Sequence, residues 1–211
     1  MSTKTITKIT LEDWQVRYAL EHGRVELWVA MEKQPPDDAS EVFSWFIPPE
    51  RRDKGATWAQ EGCYVWSPRG LSFIEESPFG PPGTEHWVAE EWCEYEIDDV
   101  QGTRLFYRAD KEVVVFGQIR LAWNPAETMP LEHSRLTLRT LSSEPRQVQT
   151  VTEEEAIATG VLRDAPVTHG DWLLRGSLAI DRFAKHIDGW HGGTNWHDNA
   201  WFWRANMEVV R

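Results

Sequence analysis

The sequence predicts an α+β fold in which mostly antiparallel strands form a small barrel with helices packed around it. Three observations lead to this class: a helical pattern near the N-terminus, several short strand-like segments between residues 86 and 141, and two helical patterns with a closing strand at the end. A chain of 211 residues is long enough to bury one sizeable core. We therefore expect a single domain over residues 1–211.

The first helix has both a start and a stop signal. Thr10 with Asp13 three residues later is typical of an N-cap followed by an acidic first turn. Gly23 is a typical residue at the C-terminal end of a helix. The segment 24–31 (RVELWVAM) then predicts a mostly buried strand. The large side chains expected on one face of the helix are Leu11, Trp14 and Tyr18.

The segment 34–86 has the composition of an irregular insertion. It contains eight of the twelve prolines of the chain, so we expect turns and short strands there. Residues 62–66 (GCYVW) and 71–74 (LSFI) can pair as a hairpin.

The second half predicts clearer elements. Thr152 and Glu155 form a capping box for a short helix that Gly160 closes. A longer helix is expected from about residue 171, with Trp172, Ala179, Phe183 and Ile187 on one face. The predicted strands are residues 86–92, 103–109, 113–119, 134–141 and 200–210.

Charge and composition restrict the function. A net charge of −12 disfavours a protein that grips duplex DNA over a broad face, because phosphate contacts need Lys and Arg. It remains compatible with a pocket for one nucleotide or with an acidic surface for a basic partner. Cys63 and Cys93 lack metal-ligand spacing, which favours a reducing compartment. We expect a cytoplasmic protein without a cofactor, a signal peptide or a membrane partner.

Tryptophan is unusually frequent, with 13 residues in the chain. Most of them must belong to the core, because large aromatic side chains contribute most to burial. Two or three are candidates for a stacking pocket or a partner surface.

Five segments resemble, in the same order, the phage-type branch of the ASCH-domain family. They are SPFGPPGTEHWVAEEW (77–92), YRAD (107–110), WNPAETMPLEHSRLTL (123–138), TVTEEEAIATGV (150–161) and NAWFWRANMEVV (199–210). The resemblance implies a PUA-like pseudo-β-barrel, a fold that holds RNA or a modified base. It also implies a phage- or prophage-encoded protein that acts in the host cytoplasm.

The residues that carry hydrolase chemistry in that family are replaced in this chain. Family hydrolases share G-x-K-x-x-T after the first helix and a Glu at the end of a later helix. Gly23 and Arg24 match the start of this motif, whereas the Lys position is Val25, the Thr position is Trp28 and the Glu position is Thr159. Valine and tryptophan cannot replace a titrating amine and a hydroxyl. We therefore expect no catalytic residues. Trp28 is expected either to plug the pocket or to make it aromatic.

The candidate binding residues lie in the segments that carry the resemblance. Neighbouring strand residues point to opposite faces, so only one of Glu90 and Glu91 can face a pocket. Glu91 matches a family glutamate and is the better candidate and the fallback catalytic residue, although a structural ion pair with an arginine is the simpler role. Arg108 and Arg135 are expected near the pocket, where they either contact phosphate or form ion pairs. The other candidates are Arg24, Trp28, Trp87, Trp92, Tyr107 and Trp203. For the tryptophans among them, the alternative role is core packing.

A second cluster of polar residues is interpreted as a solvated loop. Its residues are His186, Asp188, His191, His197 and Asp198, and none of their intervals is the four-residue spacing of paired metal ligands on one helix face. We expect no metal there.

Three functions remain open. The first is a non-catalytic binding protein that acts through an acidic, Trp-rich surface or a modified pocket on a host protein or a nucleic-acid-related partner, with an anti-defence role as its concrete form. The second is a reader in which Arg24, Arg135 and a tryptophan hold one base. The third is a hydrolase of acylated cytidine-type nucleosides, or a ribonuclease, with a relocated site at Glu91, Arg135 or Tyr107. The oligomeric state is not predicted.

Overall fold

The computed structural model describes residues 6–47, 61–96, 103–110, 121–162, 175–191 and 193–210. In this part of the chain three α-helices accompany strands that pair mostly antiparallel, which confirms the α+β class and is compatible with a small barrel. The helices are α1 (Asp13–His22), α2 (Glu153–Ala158) and α3 (Arg175–His191). The strands are β1 (Thr7–Thr10), β2 (Arg24–Ala30), β3 (Glu41–Trp45), β4 (Gly62–Ser67), β5 (Gly70–Glu75), β6 (Glu85–Ala89), β7 (Trp92–Glu96), β8 (Thr103–Tyr107), β9 (Thr137–Gln147) and β10 (Trp201–Val209).

The strands form a five-stranded sheet and two smaller ones. The central sheet has the order β1-β6-β9-β10-β2, in which only β1 and β6 run parallel. Strands β3, β4 and β5 form an antiparallel sheet, and β7 pairs with β8. The predicted strand 86–92 is therefore two strands, separated at Glu90 and Glu91.

Apolar side chains cover both faces of the central sheet. Along β2, Val25 and Leu27 enter one core, while Trp28 enters a second core on the opposite face. The same alternation separates Phe202 from Trp203 in β10. The inner core includes Leu11, Val16, Ala19, Val25, Leu27, Leu138, Trp203 and Met207, and the outer core includes Trp28, Val148, Ala156, Ala179, Phe183, Ile187 and Phe202.

The start of α1 differs from the prediction. Thr10 is the last residue of β1 and pairs in register with Ala89, so it is not the N-cap. Glu12 takes that position, and the side chain of Gln15 accepts the Glu12 backbone N–H at 3.0 Å. Gly23 ends the helix in the left-handed conformation, as predicted, with φ of 68°. The buried face consists of Gln15, Val16 and Ala19, whereas Trp14 and Tyr18 are only partly buried.

The segment expected to be an irregular insertion is more regular than its prolines indicate. The hairpin of β4 and β5 is confirmed, and β3 completes a sheet that the sequence did not predict. Cys63 and Phe79 are almost fully buried in the inner core, so this part of the chain contributes to the main core. Strand β6 begins at Glu85, one residue before the end of the expected insertion.

Helix α2 confirms the predicted capping box and α3 confirms the predicted buried face, but α3 runs to His191, so His186, Asp188 and His191 lie in a helix and not in the predicted loop. The Thr152 hydroxyl accepts the Glu155 N–H at 3.2 Å, and the Glu155 carboxylate accepts the Thr152 N–H at 2.8 Å. Gly160 has φ of 86°, and a Cβ there would lie 2.7 Å from the Tyr18 Cβ, so glycine lets α1 approach closely. The buried residues of α3 include the predicted Ala179, Phe183 and Ile187. The predicted strand 113–119 and Trp172 lie outside the described residues.

A buried histidine connects three parts of the fold. His86 in β6 is 2% exposed, and its Nε2–H lies 3.0 Å from the Phe79 carbonyl oxygen. A carbonyl can only accept, so Nδ1 is the acceptor for the Thr7 hydroxyl at 2.7 Å. Burial lowers the pKa of His86 below its usual value of 6.5. The neutral ring is therefore the form that the fold selects.

We expect the wild-type protein to lose stability as the pH falls through about 6.5. A histidine with a lower pKa in the folded state binds its proton more readily when unfolded, so unfolding becomes more favourable as pH falls. His86→Gln should flatten this dependence and cost about 1–2 kcal/mol at neutral pH. Urea unfolding at a series of pH values measures both effects. The exposed His197→Gln is the control and should keep the wild-type slope; an unchanged slope in His86→Gln would contradict the assignment.

Candidate functional site

The candidate site lies where the two parallel strands end. Strands β1 and β6 run in the same direction, so their C-terminal ends share one edge of the central sheet. Glu12 and Asp13 follow β1, and Glu90 and Glu91 follow β6. The Leu11 N–H donates to the Ala89 carbonyl at 3.1 Å and holds the two chain segments side by side. Four carboxylates from distant parts of the sequence therefore converge.

Arg135 is held at the centre of this site by two carboxylates. Its Nε and Nη2 donate to the two oxygens of Glu90 at 2.8 and 2.9 Å, and its Nη1 donates to Asp110 at 2.7 and 2.9 Å. The guanidinium lies over the Tyr107 ring, 4.1 Å from its centroid. Although burial alone lowers the pKa of Arg135, the bonds to Glu90 and Asp110 raise it above the usual value. This arginine is a satisfied ion-pair partner, which is one of its two predicted roles.

Arg108 forms a second ion pair closer to solvent. It donates to Glu91 through Nη1, and its Nε lies 3.4 Å from the Asp13 carboxylate. The side chain of Arg108 is 51% exposed and that of Glu91 37% exposed. Such pairs contribute little to stability in water, about 1 kcal/mol or less. The ion pairs nevertheless engage the charge of Arg108.

Carboxylates outnumber arginines in this site, which we call the acidic cluster. Its described acids are Glu12, Asp13, Glu90, Glu91, Asp110 and Glu127, and its described arginines are Arg17, Arg108 and Arg135. Burial is the main cause that raises the pKa of Glu12, and the charges of Asp13 and Glu91 raise it further. Burial likewise raises the pKa of Asp13, against the attraction of Arg108. A bound cation, rather than a bound anion, would reduce the repulsion among these carboxylates.

Glu90 is the buried member of the glutamate pair, whereas Glu91, the candidate to face a pocket, is partly exposed. Glu90 is 1% exposed, and burial raises its pKa although Arg135 acts in the opposite direction. The two glutamates lie between β6 and β7, outside both strands, so the choice could not be made from strand alternation alone. Glu91 instead forms the structural ion pair that was the simpler prediction for it.

Several predicted aromatic residues adjoin the acidic cluster. Trp87, Trp92 and Tyr107 pack around a small apolar group made by Ala89, Ala126 and Met129. The Tyr107 hydroxyl donates to the His133 carbonyl at 2.7 Å, and burial raises the pKa of Tyr107. Trp92 makes an edge contact with the His133 ring at 4.9 Å between centroids. These side chains fix the local structure.

Two predicted residues lie away from this cluster. Trp203 is fully buried in the inner core, where its Nε1–H donates to Glu75 at 2.8 Å. Arg24 is exposed at the start of β2, two strands across the sheet from β9, which Arg135 precedes. The structure therefore does not bring Arg24 and Arg135 together around one base.

The three positions that the resemblance matches to catalytic residues do not line one pocket. Val25 and Trp28 are three residues apart in β2, so the strand period of two sends them to opposite faces. Trp28 is 3% exposed and makes an edge contact with Phe183 at 5.4 Å between centroids. Thr159 is buried, and its hydroxyl donates to the Ala156 carbonyl at 2.7 Å. The expectation of one pocket shared by Val25 and Trp28 is wrong, while Trp28 does fill its own side of the sheet.

Sequence reasoning missed most of the acids in the cluster. Glu12 and Asp13 were not candidates, because their proximity to Glu90 and Glu91 depends on the parallel pairing of β1 with β6. Asp110 was also not a candidate; it follows β8 and is held by Arg135. β1 has only four residues, and its sequence TKIT lies in a segment that was not assigned to a strand. The signal that could have identified Asp110 is its place in the YRAD segment (107–110), which precedes the segment 123–138 that carries Arg135.

The described residues hold no group of three or more His, Cys, Asp and Glu side chains arranged to bind a metal ion. Within the same part of the chain, no helix has the length and apolar character needed to cross a membrane. The chain matches no protein-family model, no curated protein and no solved structure.

The pairing of Arg135 with Glu90 predicts a large stability effect. Arg135→Met leaves the Glu90 carboxylate buried without a partner and should lower the free energy of unfolding by about 3–5 kcal/mol. The double variant Arg135→Met with Glu90→Leu should recover much of this loss, because apolar side chains can replace a buried ion pair. Urea denaturation of the single and double variants measures the coupling. A loss below about 1 kcal/mol for Arg135→Met, typical of a surface pair, would contradict this role.

The position of Trp28 predicts that the family's chemistry cannot be rebuilt in place. Trp28→Thr should lower the free energy of unfolding by about 3 kcal/mol or more, because it leaves a large cavity in the outer core. The double variant Val25→Lys with Trp28→Thr should show no hydrolysis of N4-acylcytidine. The matched control is Trp66→Thr, which alters an exposed tryptophan and should change stability by about 0.5 kcal/mol or less. Hydrolysis by the double variant would contradict the separation of the two positions.

Proposed function

We propose that this protein is a non-catalytic ASCH-like binding protein with a PUA-like fold, which acts on a basic protein partner. One observation carries the proposal: Arg108 and Arg135, the cations that the sequence placed in the site, are already bound to carboxylates. A phosphate would have to displace Glu90 and Asp110 from Arg135. Removing an arginine from a buried carboxylate is costly, because the carboxylate is left desolvated.

The charge of the site supports a basic partner. The acidic cluster has more carboxylates than arginines among its described residues, and the whole chain carries −12. Charge complementarity speeds encounter with partners of opposite sign and disfavours partners of the same sign. Nucleic acids have the same sign as this surface, whereas the proteins that bind them are basic.

The resemblance to phage-type ASCH proteins gives the proposal its biological form. A phage- or prophage-encoded acidic protein in the host cytoplasm meets many host proteins whose nucleic-acid-binding faces are basic. Blocking such a face is the mode of action that fits the charge. We propose an anti-defence role of this kind.

The two other functions receive less support from the geometry. For a relocated hydrolase site, Glu91, Tyr107 and Arg135 would have to be available, and each is engaged in an ion pair or a hydrogen bond. For a base reader, Arg24 and Arg135 would have to converge, and the sheet separates them.

Binding measurements with two charged probes test the proposal. We expect the wild-type protein to bind a short peptide of alternating serine and arginine, with an affinity that falls as salt is added, and to leave a single-stranded oligonucleotide of equal length unbound. Incubation with N4-acylcytidine and with single-stranded RNA should give no turnover. Glu12→Gln with Glu127→Gln, which removes two exposed acids of the cluster, should weaken peptide binding. Oligonucleotide binding that outcompetes the peptide, or turnover lost in Glu91→Ala, would refute the proposal.

A further inference from the structure

The sheet of β3, β4 and β5 presents an aromatic face to solvent. The register places Phe43 opposite Tyr64 and Tyr64 opposite Phe73, so three rings form one row across the three strands. The neighbouring row brings Trp66 opposite Leu71. Alternate residues of these strands turn the other way, as the near-complete burial of Cys63 and Val65 shows. We call the outward side the aromatic face.

The rings of the aromatic face contact one another. The rings of Phe43 and Tyr64 stack with 6.1 Å between centroids and 20° between planes. Phe73 meets Tyr64 edge to face at 5.4 Å between centroids. Such contacts between rings hold the row in place before any partner binds, which reduces the entropy that binding would lose.

Two large apolar side chains of this face are open to solvent. Trp66 is 46% exposed and Leu71 is 50% exposed, and they are cross-strand neighbours. Single exposed apolar residues are common, but adjacent exposed residues beside an aromatic row are typical of a binding surface. Tryptophan and tyrosine are also the residues that most often dominate the energy of protein interfaces.

The described charges beside this face are mainly negative. Glu41 is exposed and stands in register with Trp66, on the side opposite Leu71. Asp37 and Asp38 are exposed just before β3, where Ser40 donates to the Trp66 carbonyl at 2.8 Å through its N–H. Arg69 in the β4–β5 turn is the described cation nearest in sequence to Trp66 and Leu71. Carboxylates and aromatic rings both attract cations, so this surface suits the guanidinium and ammonium groups of a partner.

We propose that the aromatic face is a second docking surface, besides the acidic cluster, which binds a segment of the basic protein partner that alternates apolar residues with arginine or lysine. This inference rests on the proposed function and names a further surface and the chemistry of the segment that it binds. The apolar side chains of the segment pack on Trp66 and Leu71. Its cations lie over the rings and pair with Glu41, Asp37 and Asp38.

Two other occupants fit the face less well. Single-stranded nucleic acid also stacks on aromatic rows, but it requires a basic groove beside them, and the described flanks here are acidic. A second copy of this chain would bring the same acids together, since a symmetric interface faces like with like. Both occupants are outcomes of the experiment that follows.

Two peptides of equal charge and length isolate the apolar contribution of the aromatic face. One alternates leucine with arginine, and the other alternates serine with arginine. We expect the wild-type protein to bind the leucine peptide about tenfold or more tightly than the serine peptide, as for burial of one or two good apolar anchors. The double variant Trp66→Ser with Leu71→Ser should lose this preference but keep its affinity for the serine peptide. The matched control is Leu141→Ser, which changes a leucine of similar exposure (49%) on β9 and should keep the preference.

The outcomes separate this inference from the proposed function. If both peptides bind wild-type protein equally, or the double variant keeps its preference for leucine, the docking surface is wrong while the proposed function stands. If neither peptide binds, both are wrong. Binding of an oligonucleotide that the double variant loses would assign the face to nucleic acid. Sedimentation that shows a wild-type dimer and a monomeric double variant would assign it to a second copy. Each of the last two results overturns the inference.

Discussion

The central sheet is buried on both faces, and this constraint decides where function can reside. Strands β2 and β10 carry apolar side chains on alternate sides, so each strand supplies both the inner and the outer core. On the inner face these positions are mostly apolar and include Trp203. On the outer face Trp28 and Phe202 alternate with the ion pair of Glu26 and Arg204, in which Glu26 is 6% exposed. The faces of the sheet are therefore used for stability.

The remaining places for function are the ends of β1 and β6 and the sheet of β3, β4 and β5. At the ends of β1 and β6 the chain collects acids, and it neutralises the arginines that stand among them. On the outer side of β3, β4 and β5 it exposes aromatic and aliphatic side chains. An acidic site and an acid-flanked aromatic face favour the same class of partner, a basic protein. The two surfaces need no catalytic group.

Much of the fold could be predicted from local signals. The capping box at Thr152 and Glu155, the left-handed glycines and the buried stripe of α3 all depend on neighbouring residues, so the sequence displays them directly. The start of α1 could not be predicted in this way. Thr10 has the chemistry of an N-cap, but its backbone pairs with β6, and a tertiary contact overrides the local preference. The same long-range pairing explains why Glu12 and Asp13 were missed, and the contact of Asp110 with Arg135 is likewise long-range.

Only part of the candidate site could be predicted, again because contacts between distant parts of the chain decide which residues meet. The resemblance located Glu91, Tyr107, Arg108 and Arg135 in segments that the fold does bring together. It could not decide that Glu90 is the buried acid, because that depends on the segment between β6 and β7. It also suggested one pocket for Val25 and Trp28, which the period of a regular strand does not allow.

The most direct test of the account observes the guanidinium groups themselves. Nuclear magnetic resonance of the arginine Nε–H groups reports whether Arg135 is held by its carboxylates while a nucleotide or an oligonucleotide is added. We expect the Arg135 Nε–H to exchange slowly with water and to keep its chemical shift throughout the titration. A shift that saturates with added nucleotide, together with faster hydrogen exchange, would show that phosphate displaces Glu90 and Asp110 and would contradict the account.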